Sequence, residues 1–134
     1  MSQENVDLLR LILAAWERGD YSSAEWAHPE IEYVVVDGPE PGSGKGLMGL
    51  AQAWGAWVSA WEDLRIEVDE YRELDDERVL VLARKTGRGK QSGLEIDDMH
   101  AKGAAIFQVR GGKVTKMVLY YDREVAFADL GVSE

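Results

Sequence analysis

The sequence predicts an α+β fold, in which helices come first and a run of antiparallel strands follows. Apolar residues recur at helical spacing in the first part of the chain, whereas alternating and β-branched residues dominate after residue 64. The later apolar runs are separated by short turns, which join antiparallel strands, since parallel strands need a crossover of a dozen or more residues. The chain has 134 residues, the size of one ordinary domain, so we expect a single domain over residues 1–134.

The first helix is predicted over residues 3–18. Its apolar side chains recur at intervals of three or four residues, which places them on one face of a helix. Ser2 can cap the start of this helix, and Gly19 ends it. The apolar face consists of Val6, Leu9, Leu13 and Trp16.

A second, short helix is predicted over residues 20–27, because Ser22 and Glu25 have the spacing of a capping box. His28 ends this helix, since a residue that precedes proline avoids helical geometry. Residues 31–36 are β-branched and aromatic, and they predict the first strand.

The glycine-rich segment that follows, VVVDGPEPGSGKG at residues 34–46, is similar to a phosphate-binding loop between a strand and a helix. The phosphate-loop pattern requires a glycine at position 39 and a hydroxyl at position 46. These positions hold Pro39 and Gly46, and Pro41 removes a further backbone N–H donor. We therefore predict a plain connection from strand to helix here, and no nucleotide site.

A third helix is predicted over residues 47–61, and its apolar face consists of Leu50, Trp54, Trp57, Val58 and Trp61. The rest is mostly strand, predicted over residues 64–68, 79–83, 94–110 and 114–121, with a hairpin turn at Gly111-Gly112. A last short helix is expected over residues 123–130, between a capping Asp122 and Gly131.

Charge and composition exclude several classes of protein. The net charge is -10, and nine acidic residues lie between Glu62 and Glu77, so binding to nucleic acid through phosphates is disfavoured. The chain has no cysteine, no leader and no apolar stretch of about 20 residues, so we expect a cytoplasmic protein without disulfides or a membrane span. Two interpretations fit the one basic cluster, Arg84, Lys85, Arg88 and Lys90: a solvated hairpin loop or an anion site.

The end of the chain, FQVRGGKVTKMVLYYDREVAFADLG, resembles the C-terminal signature of SnoaL-like proteins in the nuclear transport factor 2-like superfamily. The stretches LAAWERGD, HPEIEY and RVLVLARKTGRGKQSG support the resemblance in the same order along the chain. It implies a cone-shaped fold, in which a strongly bent antiparallel sheet wraps around the long N-terminal helix and leaves a pocket at one end. Members include polyketide cyclases, ketosteroid isomerase, limonene epoxide hydrolase and scytalone dehydratase, so the fold alone does not give the function.

The polar groups of two of these enzymes are missing at the matching positions. Similarity to ketosteroid isomerase would require a tyrosine at the position of Ile12 and an acid at the position of Ala105. It would also require a base near Val34 or Val35. Limonene epoxide hydrolase would place an acid at Leu119, just before the pair of tyrosines and the aspartate. Steroid isomerisation and this type of epoxide hydrolysis are therefore not expected.

The candidate catalytic residues are Asp37 and His100. Asp37 ends an apolar strand beside a glycine, and its alternative role is that of a helix cap or turn former. His100 lies near two aspartates on the long strand, where a neutral imidazole can act as a general base. Its alternative is a side chain that faces solvent or a subunit interface. The histidines lack metal-ligand spacing, so no metal and no cofactor are expected.

A pocket is expected on one face of the long strand, because the small residues Gly103 and Ala105 share that face with Phe107. These small residues could leave room for a ligand or accommodate the tryptophans of the third helix. Arg84 is either a pocket cation for a carboxylate or enolate, or a surface arginine at a strand end. The residues expected to line the pocket are Trp16, Tyr33, Trp54, Trp57, Arg84, Ala105, Phe107, Leu119 and Tyr121.

Two functions are consistent with the sequence. The first is binding of a small, largely apolar organic molecule in an aromatic-lined cavity, with cofactor-free acid–base chemistry of the isomerase, cyclase, dehydratase or hydrolase type. Asp37 or His100 would move the proton, and Arg84 or Tyr121 would stabilise an oxyanion. The alternative is a non-catalytic binding or accessory module that forms a homodimer through the convex face of the sheet, at Lys116, Val118 and Tyr120.

Overall fold

The computed structural model describes residues 2–18, 25–37, 42–59, 61–89 and 102–131. In these residues the strands form a mixed sheet in the order β2-β1-β6-β5-β4-β3. The strands are β1 (Ala27–Val35), β2 (Gly42–Lys45), β3 (Trp61–Glu73), β4 (Arg78–Gly89), β5 (Lys102–Arg110) and β6 (Lys113–Tyr120). The helices are α1 (Ser2–Glu17), α2 (Leu47–Ser59) and α3 (Arg123–Leu130).

The predicted α+β fold, with a bent sheet packed around the N-terminal helix, is confirmed. The pairs β5–β6, β4–β5, β3–β4 and β1–β2 are antiparallel, as expected, whereas β1 and β6 run parallel. This parallel pair is possible because the chain between the two strands contains α2 and the rest of the sheet, which is more than enough for a crossover. Register shifts within β3 and between β5 and β6 mark bulges, which bend a sheet.

The long helix α1 forms where the apolar spacing predicted it. Leu9 is fully buried, and Val6, Leu13 and Trp16 are each at most 6% exposed, whereas Leu11 on the opposite side is 73% exposed. The helix packs against β3 and β4, and the Asn5 side chain donates a hydrogen bond to the carbonyl of Asp76 in the β3–β4 turn. The buried stripe of α1 therefore fixes the helix across one face of the sheet.

Two predicted helices differ from the structure at their ends. Of the helix predicted over residues 20–27, residues 20–24 lie outside the described part, whereas Ala27 already belongs to β1. His28 and the residue after it also lie in β1, because an extended conformation before proline is compatible with a strand as well as with a helix end. The helix predicted to Trp61 ends at Ser59, and Trp61 begins β3.

The last part of the glycine-rich segment forms an edge strand. Gly42–Lys45 pairs antiparallel with β1, and Gly44 lies opposite Tyr33. A phosphate-binding loop would instead curve its backbone N–H groups around an anion at the start of the helix. The predicted connection from strand to helix therefore contains a short strand, since Gly42–Lys45 extends the sheet before α2 begins.

Each face of the sheet carries its own apolar core. The concave face, which α1 covers, includes Ile31, Val79, Val81, Phe107 and Met117, all at most 1% exposed. Trp54 and Leu50 of α2 also pack against this core. The two helices and the concave face thus enclose the larger of the two cores.

The convex face is covered in part by α3. Ala126 and Phe127 of this helix pack with Leu80 and Tyr120 from the strands below. Asp122 caps the helix by accepting a hydrogen bond from the backbone N–H of Glu124, and Gly131 ends it with a φ of 68°, as predicted. Tyr120 is only 5% exposed beneath this helix, so the expectation that it faces outward for a dimer contact was wrong.

None of the helices in the described part of the chain is both long enough and apolar enough to cross a membrane.

Candidate functional site

Lys85 lies on the concave face of the sheet, near the end of β4. Val79, Val81 and Ala83 pack into the concave core. Because side chains alternate between the two faces of a strand, Lys85 lies on the same face as these residues. Its cross-strand neighbour on β3 is Ile66, which is 6% exposed. Burial disfavours the charged ammonium and lowers the pKa of Lys85 to about 8, although the carboxylate of Asp37 acts in the opposite direction.

The amine of Lys85 lies against an aromatic ring and a glycine. Its Nζ is 4.5 Å from the centre of the Tyr121 ring, within range of a cation–π contact. A Cβ placed on Gly103 would lie 3.2 Å from that Nζ and 2.8 Å from the carbonyl oxygen of Tyr120. The carbonyl of Tyr120 is thus the main reason for a glycine at position 103, and the head of Lys85 packs closely against the same position.

The carboxylate of Asp37 is held by the backbone at the end of β6. One oxygen accepts a hydrogen bond of 2.6 Å from the N–H of Tyr121, and the other accepts one of 3.0 Å from the N–H of Asp122. These bonds join the end of β1 to the start of α3. Of the two predicted roles of Asp37, catalysis and that of a helix cap or turn former, these backbone hydrogen bonds favour the structural one. Its charge also acts on Lys85.

A cluster of aromatic rings forms another part of the concave core. The ring of Trp16 lies 5.8 Å from Trp26, 5.0 Å from Trp54 and 6.3 Å from Phe107, measured between centroids. These distances are typical of tilted and edge-on aromatic pairs. The cluster joins α1, α2, β5 and the residue before β1. Trp54 is partly buried and packs against the edge of the core.

Tyr33 connects β1 to the start of α2. Its hydroxyl donates a hydrogen bond of 3.2 Å to the carbonyl of Gly49, and its ring packs against the concave core. Ala105 and Leu119 pack against the same core from β5 and β6. The predicted pocket residues Trp16, Tyr33, Trp54, Ala105, Phe107 and Leu119 therefore share the concave side, and Tyr121 joins them through Lys85.

Arg84 lies on the other side of β4. Its guanidinium bonds to the carboxylates of Asp69 and Glu67 at 2.8 and 3.5 Å, and the side chain is 50% exposed. It therefore lies outside the concave site, and of its two predicted roles the surface arginine fits this placement. His100 lies outside the described residues, as does the side chain of Trp57.

Sequence reasoning missed Lys85 as a site residue. It appeared only in the basic cluster, for which a solvated loop and an anion site remained open. The available signal was the alternation along β4, because a strand that buries Val79, Val81 and Ala83 on one face also directs residue 85 to that face. The run Val79–Ala83 is apolar on both faces, which hides this alternation from a reading of hydrophobicity alone.

The described residues contain no group of three or more histidine, aspartate or glutamate side chains arranged to hold a metal ion. The polar atoms at the concave site are instead an amine, a phenol and a carboxylate, from Lys85, Tyr121 and Asp37. Such groups can bind or exchange protons with an organic molecule.

Comparison with known proteins places the chain in a family. The sequence profile of the SnoaL-like domain matches residues 9–117, which extend from within α1 into β6. The chain therefore belongs to the SnoaL-like family, as its C-terminal segment and the order of its motifs predicted. None of the curated proteins compared with the chain matches it.

Solved structures share the fold. A nuclear transport factor 2-like protein from Burkholderia thailandensis E264 has a TM-score of 0.74 at 18% identity, and the match covers 95% of this chain and 96% of that chain. A protein from Jannaschia sp. CCS1, provisionally named a SnoaL-like polyketide cyclase, has a TM-score of 0.72 at 17% identity, with 98% and 94% covered. TerC, co-crystallised with polyporic acid, has a TM-score of 0.71 at 21% identity, with 95% and 97% covered. At such identities the similarity shows the fold alone.

Proposed function

We propose that this protein binds a small, largely apolar organic molecule at the end of the concave face of its sheet where Lys85 lies. The observation that carries the proposal is the convergence of Lys85, Tyr121 and Asp37 near one end of a face that is otherwise apolar. Small-molecule sites typically combine an apolar lining with a few polar groups that orient the ligand. The aromatic cluster around Trp16 belongs to the same apolar core.

Family membership and similar structures support this proposal. SnoaL-like domains include proteins named as polyketide cyclases, and the structural neighbour TerC was crystallised with polyporic acid. The chemistry we propose is cofactor-free proton transfer at a carbonyl-containing ligand. Asp37 and His100 are the predicted proton-transfer groups, and Tyr121 is the predicted stabiliser of an oxyanion.

Thermal unfolding with a panel of ligands tests the binding proposal. The panel contains lipophilic ketones, epoxides, steroids and polyketide-like aromatics, together with ATP and magnesium. A ligand at a hundred times its Kd stabilises the folded state by about 2.7 kcal/mol, a shift of several degrees for a domain of this size. A shift with a lipophilic compound is the expected result, whereas a shift with ATP alone would contradict the proposal.

A second candidate is a binding module without turnover. The specific observation in its favour is that each carboxylate oxygen of Asp37 already accepts a backbone hydrogen bond, as expected for a structural group. Comparison of Asp37→Asn and His100→Ala with the wild type, with a ligand found in the panel, separates the two candidates. Loss of turnover in both folded variants supports an enzyme, and wild-type rates in both exclude these residues as catalysts.

The proposed homodimer has less of the convex face available than the sequence suggested, because α3 covers Tyr120. Lys116 and Val118 are each only partly buried and remain candidates for a contact. The mass in solution tests this proposal, since a species of 15.0 kDa at micromolar concentration would exclude a stable dimer.

A further inference from the structure

We propose that the concave site selects organic anions, and that Lys85 is the residue that recognises them. The ligand class is an apolar, preferably aromatic, body that carries one oxyanion: a carboxylate, a phenolate or an enolate. This inference rests on the proposed function and specifies its ligand. It depends on where Lys85 lies, what surrounds its amine, and where the neighbouring arginine points.

Lys85 places a positive charge on the concave face. Lys85 extends the row of Val79, Val81 and Ala83 on the concave face, and it faces Ile66 across the strand pair. A cation beside apolar side chains has lost part of its hydration, so an anion that reaches it meets less competition from water. An apolar ligand body on the same face would bring its oxyanion within reach of this amine.

The amine of Lys85 lies against neighbouring residues at this end of the face. The Tyr121 ring lies 4.5 Å from Nζ, and the lysine head packs closely against Gly103. A lysine ammonium carries three N–H donors, and hydrogen bonds of a charged donor to an anionic oxygen are stronger than neutral ones. Asp37 is held in place by two backbone N–H groups, so its charge keeps a fixed position near the ammonium.

Arg84 and Lys85 differ in the surroundings of their charged groups. The two cations are adjacent in sequence but lie on opposite faces of β4, since Arg84 is half exposed and bonded to Asp69 and Glu67. A substitution at either position removes the same charge from almost the same place in the chain. Arg84 therefore provides a matched control for the charge of Lys85.

The pH dependence gives a second signature. Among the described residues, the titratable groups that face the Lys85 amine are Asp37, from the end of β1, and Tyr121, from the end of β6. Because the pKa of Lys85 is about 8, the ammonium fraction falls about tenfold per pH unit above that value. The affinity for an anion should fall in parallel between pH 8 and pH 9.5.

The test uses two pairs of probes that differ in charge but hardly in shape. The pairs are 2-hydroxy-1,4-naphthoquinone with its 2-methoxy analogue, and 2-naphthoate with 2-acetylnaphthalene. Both acids are ionised throughout the pH range used, so a change of affinity reports on the protein. Kd values are measured by quenching of tryptophan fluorescence and by calorimetry for the wild type, Lys85→Met, Lys85→Arg and Arg84→Met.

In the wild type at pH 7, we expect at least one acid to bind about tenfold more tightly than its neutral partner. In Lys85→Met this ratio should fall to about one while the neutral partner still binds, and in Arg84→Met the ratio should stay at its wild-type value. Lys85→Arg should lose the weakening of anion binding above pH 8, since guanidinium stays protonated. Unliganded melting curves of all variants show whether each one is folded.

Three results would overturn the inference, and they differ in what they say about the proposed function. Equal binding of acid and neutral partner, unchanged in Lys85→Met, would leave a ligand site in place but remove Lys85 as its anion-recognition residue. Absence of binding for every probe in the folded wild type would count against both the site and its selectivity. An equal loss of acid preference in Arg84→Met would show a general charge effect, and would also overturn the inference.

Discussion

Tyr33 and Gly44 show how a single side chain determines which residue its neighbour can be. The two residues lie opposite each other on β1 and β2, and a Cβ on Gly44 would overlap the ring and the hydroxyl of Tyr33. The same hydroxyl donates to the carbonyl of Gly49 in α2. Gly44 is therefore required by packing across the strand pair, which explains a glycine that otherwise looks like part of a phosphate loop.

This contact predicts different effects for two glycines of the same short strand. Gly44→Ala should destabilise the protein by about 1–3 kcal/mol, because Tyr33 must move and lose its bond to Gly49. Gly42→Ala, where an added Cβ meets no atom within 4 Å, should change stability by less than about 0.5 kcal/mol. Urea unfolding of both variants checks this, and equal effects would refute the packing explanation.

At the scale of elements, a bulge in β3 ties α3 to the sheet. The register of β3 against β4 shifts between Val68 and Glu70, so Asp69 is the extra residue of the bulge. Its carboxylate bonds to Arg84 at 2.8 Å and to Arg123 at 3.0 Å. Arg123 also donates to the carbonyls of Ala83 and Gly103, at 3.2 and 3.4 Å. One arginine at the start of α3 thus joins β3, β4 and β5.

The Asp69 contacts predict a loss of stability in acid. Burial alone would raise the pKa of Asp69, but hydrogen bonds and charges of Arg123 and Arg84 outweigh it and hold the pKa below its ordinary value. Because the folded-state pKa is the lower one, the stabilisation is present above the ordinary pKa near 4 and disappears as the pH falls through the folded-state value.

The measurement is the free energy of unfolding of the wild type and Asp69→Asn between pH 7 and pH 2. The variant should be less stable by about 1 kcal/mol at pH 7, and the difference should shrink below pH 4. Asp76→Asn, at an exposed acid of the β3–β4 turn, serves as the control for removal of one negative charge. A difference for Asp69→Asn that is independent of pH would contradict the role of its charge.

At the scale of the whole molecule, Trp16 joins elements that are far apart in sequence. Its ring meets Trp26, Trp54 and Phe107, which belong to the approach to β1, to α2 and to β5. It is 6% exposed, near the end of the helix that crosses the concave face. Loss of this ring would leave a cavity where three parts of the chain meet.

We expect Trp16→Ala to cost about 3–5 kcal/mol, a large part of the roughly 5–15 kcal/mol that stabilises a typical domain. Leu11→Ala, on the exposed side of the same helix, should change stability by less than about 0.5 kcal/mol. Thermal and urea unfolding compare the two variants. A cost for Trp16→Ala no greater than that for Leu11→Ala would show that the aromatic cluster does not stabilise the fold.

The sequence predicted the ends of helices and strands best where they depend on neighbouring residues. The ends of α3 were predicted from Asp122 and Gly131, because a cap depends on residues within one turn of the helix. The start of β1 and the end of α2 were placed less well, since strand pairing extends Ala27 and Trp61 into the sheet whatever their local preference. The parallel pairing of β1 with β6 depends on residues at opposite ends of the chain, so no local pattern shows it.

The candidate site was also predicted only in part, because some of its residues follow from local alternation and others depend on strand register. Alternation placed Ala105 and Phe107 on one face of the long strand, and the structure packs both against the concave core, together with Leu119. The choice between Arg84 and Lys85 needs the register of β4 against β3 and β5, which sets the face of each side chain. A run that is apolar on both faces does not specify that register.

The sequence by itself determined the fold class, the buried face of α1, the caps of α3 and the family resemblance, because these depend on spacing and on contiguous motifs. Only the tertiary structure decided that Lys85, and not Arg84, lies on the concave face, that Gly44 accommodates Tyr33, and that Asp37 binds the backbone of Tyr121 and Asp122. Each of these facts is a contact between distant segments. Such contacts arise from strand register and packing, which the whole chain sets together.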